Sequence, residues 1–157
     1  MREGKELREN AMADQLHFDD VTVGDQITTL RTSVDEIQMF LFSAATYNAH
    51  RIHYDKTWAV DVEGYQAPLV QGPLQAALLA RAVTDWIGGA GTLVTYSAQN
   101  RAVAFPGQEL DFVGTVTAKR EEDGRALVDL EIRGERDGEL LMPGTATVTL
   151  PRRTEAA

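Results

Sequence analysis

Apolar and polar positions follow two different periods along this chain, helical at the front and alternating at the back. Residues 26–34 alternate in a threonine-rich run after a Gly24-Asp25 turn, the pattern of a half-buried strand. Ser33 or Asp35 then offers an N-cap. From Glu36 the apolar residues Ile37, Phe40, Leu41 and Ala44 recur at helical spacing, which predicts a helix that buries this face and delivers the chain to Thr46-Tyr47-Asn48. Residues 54–59 carry aromatics at i and i+4 and read as a short helical turn with Trp58 in the core. A loop bounded by Gly and Pro follows over residues 61–67. Pro73 suits the first turn of a helix, where its missing N–H costs nothing. Leu74, Ala77, Leu78, Val83, Trp86 and Ile87 continue that helix until Gly88-Gly89 ends it, making it the longest and least polar in the chain.

After those glycines the period changes to that of strands. Residues 93–105, 110–118, 125–134 and 140–150 are separated by Pro106-Gly107, Glu122-Asp123-Gly124 and Asp137-Gly138, each a strong turn signal. The order strand, helix, helix, four strands is an α+β pattern in which a curved antiparallel sheet wraps one long helix. A single domain is expected over residues 17–151, with loosely ordered tails at 1–16 and 152–157.

Composition narrows the chemistry. The 157 residues are enough for one self-sufficient core, and the absence of cysteine excludes disulfides, zinc-thiolate sites and a cysteine nucleophile. A formal charge of -9, from 15 basic and 24 acidic residues, disfavours nucleic acid and anionic membranes as partners. The charged N-terminus lacks the apolar core of a secretory signal, and no stretch has the length of a membrane span; with the missing cysteines, this sets the expectation of a cytoplasmic protein.

Two stretches carry candidate chemistry. Asn48-Ala-His-Arg-Ile-His53-Tyr-Asp55 places two of the chain's three histidines beside an amide, an arginine and an aspartate at a helix exit. Val70-Gln71-Gly72-Pro-Leu opens the central helix and supplies free backbone N–H groups. Together they point to proton transfer beside a carbonyl whose oxygen is held by fixed donors. The plainer alternatives are a capped, hydrogen-bonded turn for the first and a tight turn before Pro73 for the second.

These two stretches, with Phe105-Pro-Gly-Gln-Glu-Leu110 before a strand, resemble the MaoC-like hydratases and dehydratases of the hot-dog fold, over residues 18–150. The similarity extends to the branch of hydroxyacyl-thioester dehydratases and mesaconyl-CoA hydratases, where the first stretch reads Asn-x-His-Arg-Ile-His-Tyr-Asp. In the (R)-specific enoyl-CoA hydratases the motif is Asp-x-Asn-Pro-Ile-His, so this chain has Asn48 at the position of the catalytic carboxylate. An amide orients a water but takes up no proton.

The resemblance implies a hydro-lyase acting on an enoyl or beta-hydroxyacyl thioester of coenzyme A or an acyl carrier protein, with no metal or redox cofactor. His53 is then the general acid/base, Asn48 orients the water, and the Gly72 N–H holds the thioester oxygen. His50 is a supporting proton carrier, an orienting group, or a solvent-facing side chain. Arg51 is a candidate for a pantetheine or nucleotide phosphate, or else a surface ion pair. Tyr47 and Tyr65 are assigned to the acyl pocket, Val70 and Gln71 to the substrate side of the helix start, and Asp55 to a cap. The resemblance also implies at least a dimer, a homodimer or a heteromer with a second hot-dog subunit. Two rivals stand beside it: a hot-dog thioesterase, and a non-catalytic acyl-binding or structural subunit, the latter kept open by Asn48.

Overall fold

The computed structural model describes residues 15–153, and the expected tails at 1–14 and 154–157 lie outside them. Its backbone is one five-stranded antiparallel sheet in the order β1-β3-β4-β5-β2, with β1 Leu30–Ser33, β2 Thr92–Ala98, β3 Glu109–Glu122, β4 Arg125–Arg136 and β5 Glu139–Thr149. The two tight turns at positive φ that connect β3 to β4 and β4 to β5 are Asp123-Gly124 and Asp137-Gly138. Helix α1 spans Glu36–Ala45 and helix α2 spans Gly72–Ile87.

Helix α2 touches all five strands, as the curved sheet wraps it. Its buried stripe of Leu74, Gln75, Leu78, Leu79, Ala82, Val83 and Ile87 meets Leu110, Phe112, Leu130, Ile132, Leu141 and Val148 in one continuous core. Half-buried Tyr96 of β2 donates its hydroxyl to Ala76 O at 2.7 Å, fastening the helix to the edge strand. Gly144 is required by close approach, because a Cβ there would stand 2.4 Å from Ser97 O across the β5–β2 ladder. Among the described residues no helix is long and apolar enough to cross a membrane.

Several expectations need correction. The first strand is shorter than 26–34, leaving Gln26 as an isolated bridge to Thr115. The second strand ends at Ala98 rather than 105. Beyond it, Gln99, Arg101 and Ala102 still donate to Pro143 O and Leu141 O, but the chain then swings over the start of α2, where Val70 N–H meets Ala104 O at 2.9 Å.

The third correction concerns α1. Asp35 caps it, its Oδ1 accepting from Gln38 N–H at 2.7 Å, a contact worth about 1 kcal/mol. Its buried residues, however, are Met39 and Ser43, while Ile37, Phe40 and Leu41 are 71%, 57% and 59% exposed. The opposite stripe wins because Met39 O and Ser43 Oγ both accept from the buried Gln71 Nε2, at 2.7 and 2.9 Å. Trp58 likewise is only half-buried: it begins a π-helical turn, Trp58–Val62, and stacks under the Arg51 guanidinium at 4.1 Å.

Gln15 and Leu16, expected in the N-terminal tail, are fixed to the domain: Gln15 bonds Ile87 O and the Ala90 N–H, and Leu16 packs on the core. Arg152 and Arg153, expected in the C-terminal tail, pair with Asp19, Glu121 and Asp20.

The core geometry sets an expected stability change. Leu79 is 0% exposed, so Leu79→Ala lowers the unfolding free energy by about 2–5 kcal/mol. Gly144→Ala, which must push β2 away from β5, costs about 1–3 kcal/mol. Urea unfolding followed by tryptophan fluorescence measures both; wild-type midpoints would contradict this packing.

Candidate active site

Everything at the site depends on a short extended segment before α2. Leu69 N–H donates to Ile52 O at 2.9 Å, Val70 N–H donates to Ala104 O at 2.9 Å, and the Gln71 side chain holds α1. Three remote stretches therefore converge on residues 69–71. Next comes Gly72, the first residue of α2, whose N–H has no carbonyl one turn earlier to bond and stands at the positive end of the helix dipole.

His53 closes the short 3-10 turn Arg51–His53 and reaches the same segment, its Nδ1 lying 2.8 Å from Leu69 O. A carbonyl oxygen only accepts, so Nδ1 carries the proton and donates. Neutral His53 therefore presents a bare, basic Nε2. Partial burial lowers its pKa below the ordinary histidine value of 6.5; the Leu69 bond opposes this shift, and the charge of His50 adds to it. At neutral pH the ring is poised as a base.

His53, Val70, Gly72 and Gln75 line one cavity of about 180 Å³, closed from the other side by Asn100, Ala102 and Val103. Three residues expected at the site thus meet there: His53, Gly72 and Val70. His50 stands beside them, its ring edge-on to that of His53 with centroids 5.9 Å apart, but it is exposed.

The other expected residues are placed elsewhere. Gln71 is 0% exposed, and its amide is turned into the fold, so it supports the helix start instead of facing substrate. Arg51 pairs with Asp55 at 2.6 Å, the surface ion pair held open from the sequence. Asp55 caps the next turn by accepting from Trp58 N–H at 3.0 Å; that bond, and then Arg51, hold its carboxyl below the usual range, so it is no acid at neutral pH. Tyr65 lines neither this cavity nor its neighbour.

Asn48 and Tyr47 line that neighbour, a separate cavity of about 400 Å³ walled mainly by Phe40, Ala44 and Tyr54. Tyr47 leaves α1 at φ 54 and is 96% exposed, an unfavourable conformation for a non-glycine residue. Asn48 Oδ1 accepts from His50 N–H at 3.2 Å, and its own N–H returns to Ser43 O at 2.9 Å. Asn48 therefore shapes the loop that carries both histidines. Among the described residues, no group of three or more histidine, aspartate or glutamate side chains is placed to hold a metal.

Asn100 was missed from the sequence. Its signal was the polar triplet Gln99-Asn100-Arg101, which breaks the alternation of the expected long strand where the chain turns toward α2.

With the geometry in place, the family follows. The profile described as hydroxyacyl-thioester dehydratase type 2 matches residues 8–104, more than half of the chain. The chain belongs to this dehydratase family. A mesaconyl-C(4)-CoA hydratase of Chloroflexus aurantiacus is 55% identical over 58 residues, 36% of this chain and 20% of that protein. The mitochondrial type 2 hydroxyacyl-thioester dehydratase of Saccharomyces cerevisiae is 31% identical over 55 residues, 35% of this chain and 20% of that protein. Each match thus spans about a fifth of the curated relative. Among solved structures, the (R)-hydratase from A. caviae involved in PHA biosynthesis superposes with a TM-score of 0.76 at 25% identity, covering 84% of this chain and 98% of that one. The chain is a MaoC-like hot-dog domain of the type 2 dehydratase family.

The His53 environment makes a spectroscopic prediction. Its ring should titrate below 6.5 by NMR. Because the charged form of His50 disfavours that of His53, His50→Ala should move this pKa upward, toward 6.5. A downward movement would contradict the electrostatics described.

Proposed function

We propose that the protein catalyses reversible hydration of an enoyl thioester, equivalently dehydration of a beta-hydroxyacyl thioester, carried by coenzyme A or acyl-carrier phosphopantetheine. The observation that carries this reading is the His53 Nδ1–H bond to Leu69 O, which leaves Nε2 free as a base in the cavity that Gly72 also lines.

In the hydration direction, Nε2 removes a proton from water as its oxygen bonds to the beta carbon. The electron pair of the double bond moves through the alpha carbon onto the thioester oxygen, where the Gly72 N–H and the dipole of α2 stabilise it. Collapse of this enolate takes the proton back from Nε2–H to the alpha carbon, so water is added overall and the histidine is regenerated. No electrons are gained or lost, and the steps call for no redox cofactor.

Asn48 contributes by holding the histidine loop through Oδ1, and its amide nitrogen is the donor left to orient water. Arg51 remains the candidate for a carrier phosphate, by exchanging its Asp55 partner. Tyr47, which lines the neighbouring cavity with Asn48, is assigned to the acyl side.

The proposed partner is a second hot-dog subunit, the same chain or a related one. This is supported by the exposed Ile37, Phe40, Leu41 and Tyr47 on one side of α1, and by β2 at the edge of the sheet. Among the described residues no carboxylate lines the His53 cavity, which weighs against a thioesterase that attacks through an aspartate or glutamate.

The test is loss of enoyl absorbance across a panel of enoyl-CoA thioesters with a free-thiol assay in the same wells. Wild type should hydrate without releasing thiol, and His53→Ala should lose about 10²–10⁴-fold in rate. The rate should also fall as pH drops through the His53 pKa, which lies below 6.5, because protonation removes the base. Thiol release without hydration would overturn the reading in favour of a thioesterase.

A further inference from the structure

Gly72 and Asn100 occupy each other's space. A Cβ built on Gly72 would stand 1.8 Å from Asn100 Nδ2, 2.8 Å from its Cγ and 3.0 Å from its Oδ1. A methyl at position 72 would therefore have to displace the Asn100 side chain, which lies just beyond the end of β2.

Asn100 is also held in register. Gln99 N–H donates to Pro143 O at 3.0 Å and Arg101 N–H to Leu141 O at 2.9 Å, so the backbone on both sides is tied to β5. The side chains of Gln99 and Arg101 bond each other at 2.8 Å, whereas the Asn100 carboxamide makes no hydrogen bond to any described residue. Its solvent-exposed amide thus reaches the cavity of His53 and Gly72 on a backbone tied to β5, with no side-chain partner among the described residues.

We infer that Asn100 is a catalytic residue for the proposed hydration, its Nδ2–H₂ acting as a second donor, beside the Gly72 N–H, to the thioester oxygen. This rests on the hydratase reading. A backbone N–H at a helix start is one donor; an enolate oxygen accepts two or more hydrogen bonds, and a neutral amide supplies one without a charge that would compete with His53. The pair also explains why the family-type helix start and the loop after β2 are brought together across the sheet end.

The test compares wild type, Asn100→Ala, Asn100→Asp and Gly72→Ala with the double variant Gly72→Ala/Asn100→Ala, on whichever enoyl-CoA the wild type hydrates. Asn100→Ala should lower kcat by about a hundredfold while KM stays within about threefold, with an unchanged Tm. Asn100→Asp, the same shape but anionic, should be slower still, because it sets a negative charge against the one that develops. Gly72→Ala should be slow because its methyl displaces the amide, and adding Asn100→Ala should cost little more. In the infrared, the carbonyl stretch of bound thioester should lie higher in Asn100→Ala than in wild type. Wild-type kcat in Asn100→Ala, or Asn100→Asp as fast as wild type, would overturn the inference while leaving the hydratase reading intact. A wild type that hydrates no thioester would overturn the reading and this inference together.

Discussion

Three hydrogen-bonded attachments at consecutive residues organise this molecule. Leu69 binds the histidine loop through both its N–H and its C=O, Val70 binds the loop after β2, and Gln71 binds the inner stripe of α1. Burial drives the backbone groups of Leu69 and Val70 to partners, while Gln71 attaches through its side-chain amide. Here those partners come from three separate regions of the chain. The N-terminus of α2 follows at once, so whatever these attachments hold is held around Gly72.

The chemistry inherits that arrangement. One carbonyl oxygen of the segment sets the tautomer of His53, and the next helix supplies the N–H at which negative charge would be stabilised in the proposed hydration. Distances between base and oxyanion donor are thereby governed by backbone geometry, which varies little, rather than by long side chains. Burial then lowers the basicity of the ring, which favours its neutral form. In the proposed scheme a single titrating group suffices, which is consistent with an amide rather than a carboxylate at Asn48.

Much of this was legible in the sequence, and the reasons for the rest are physical. The α+β order, the central helix and the hairpin turns were carried by strong local signals: period, Pro73, and the Asp-Gly pairs. His53 and Gly72 were legible through the motifs around them. The face of α1 was misread because periodicity reports that one stripe is apolar, not what covers it. Ile37, Phe40 and Leu41 form that stripe, yet a buried polar anchor, Gln71, selected the opposite side. Gln71 was misassigned to the substrate side and Asn100 was missed for a related reason: an amide's surroundings depend on residues far away in the chain, and no local pattern encodes them. Asn48 was placed in the loop that carries the histidines but lines the neighbouring cavity, a distinction that spacing alone does not resolve.

The most direct measurement is the protonation site of the neutral His53 ring, read from ¹⁵N shifts and couplings to the ring carbons at a pH above 6.5, with His53→Gln assigning the signals. A proton on Nδ1, with Nε2 bare, is the expected result, and it would place the base where the cavity needs it. A proton on Nε2 would mean that Leu69 O does not hold the ring, and that His53 faces the cavity as a donor; the hydration scheme built on it would then fail.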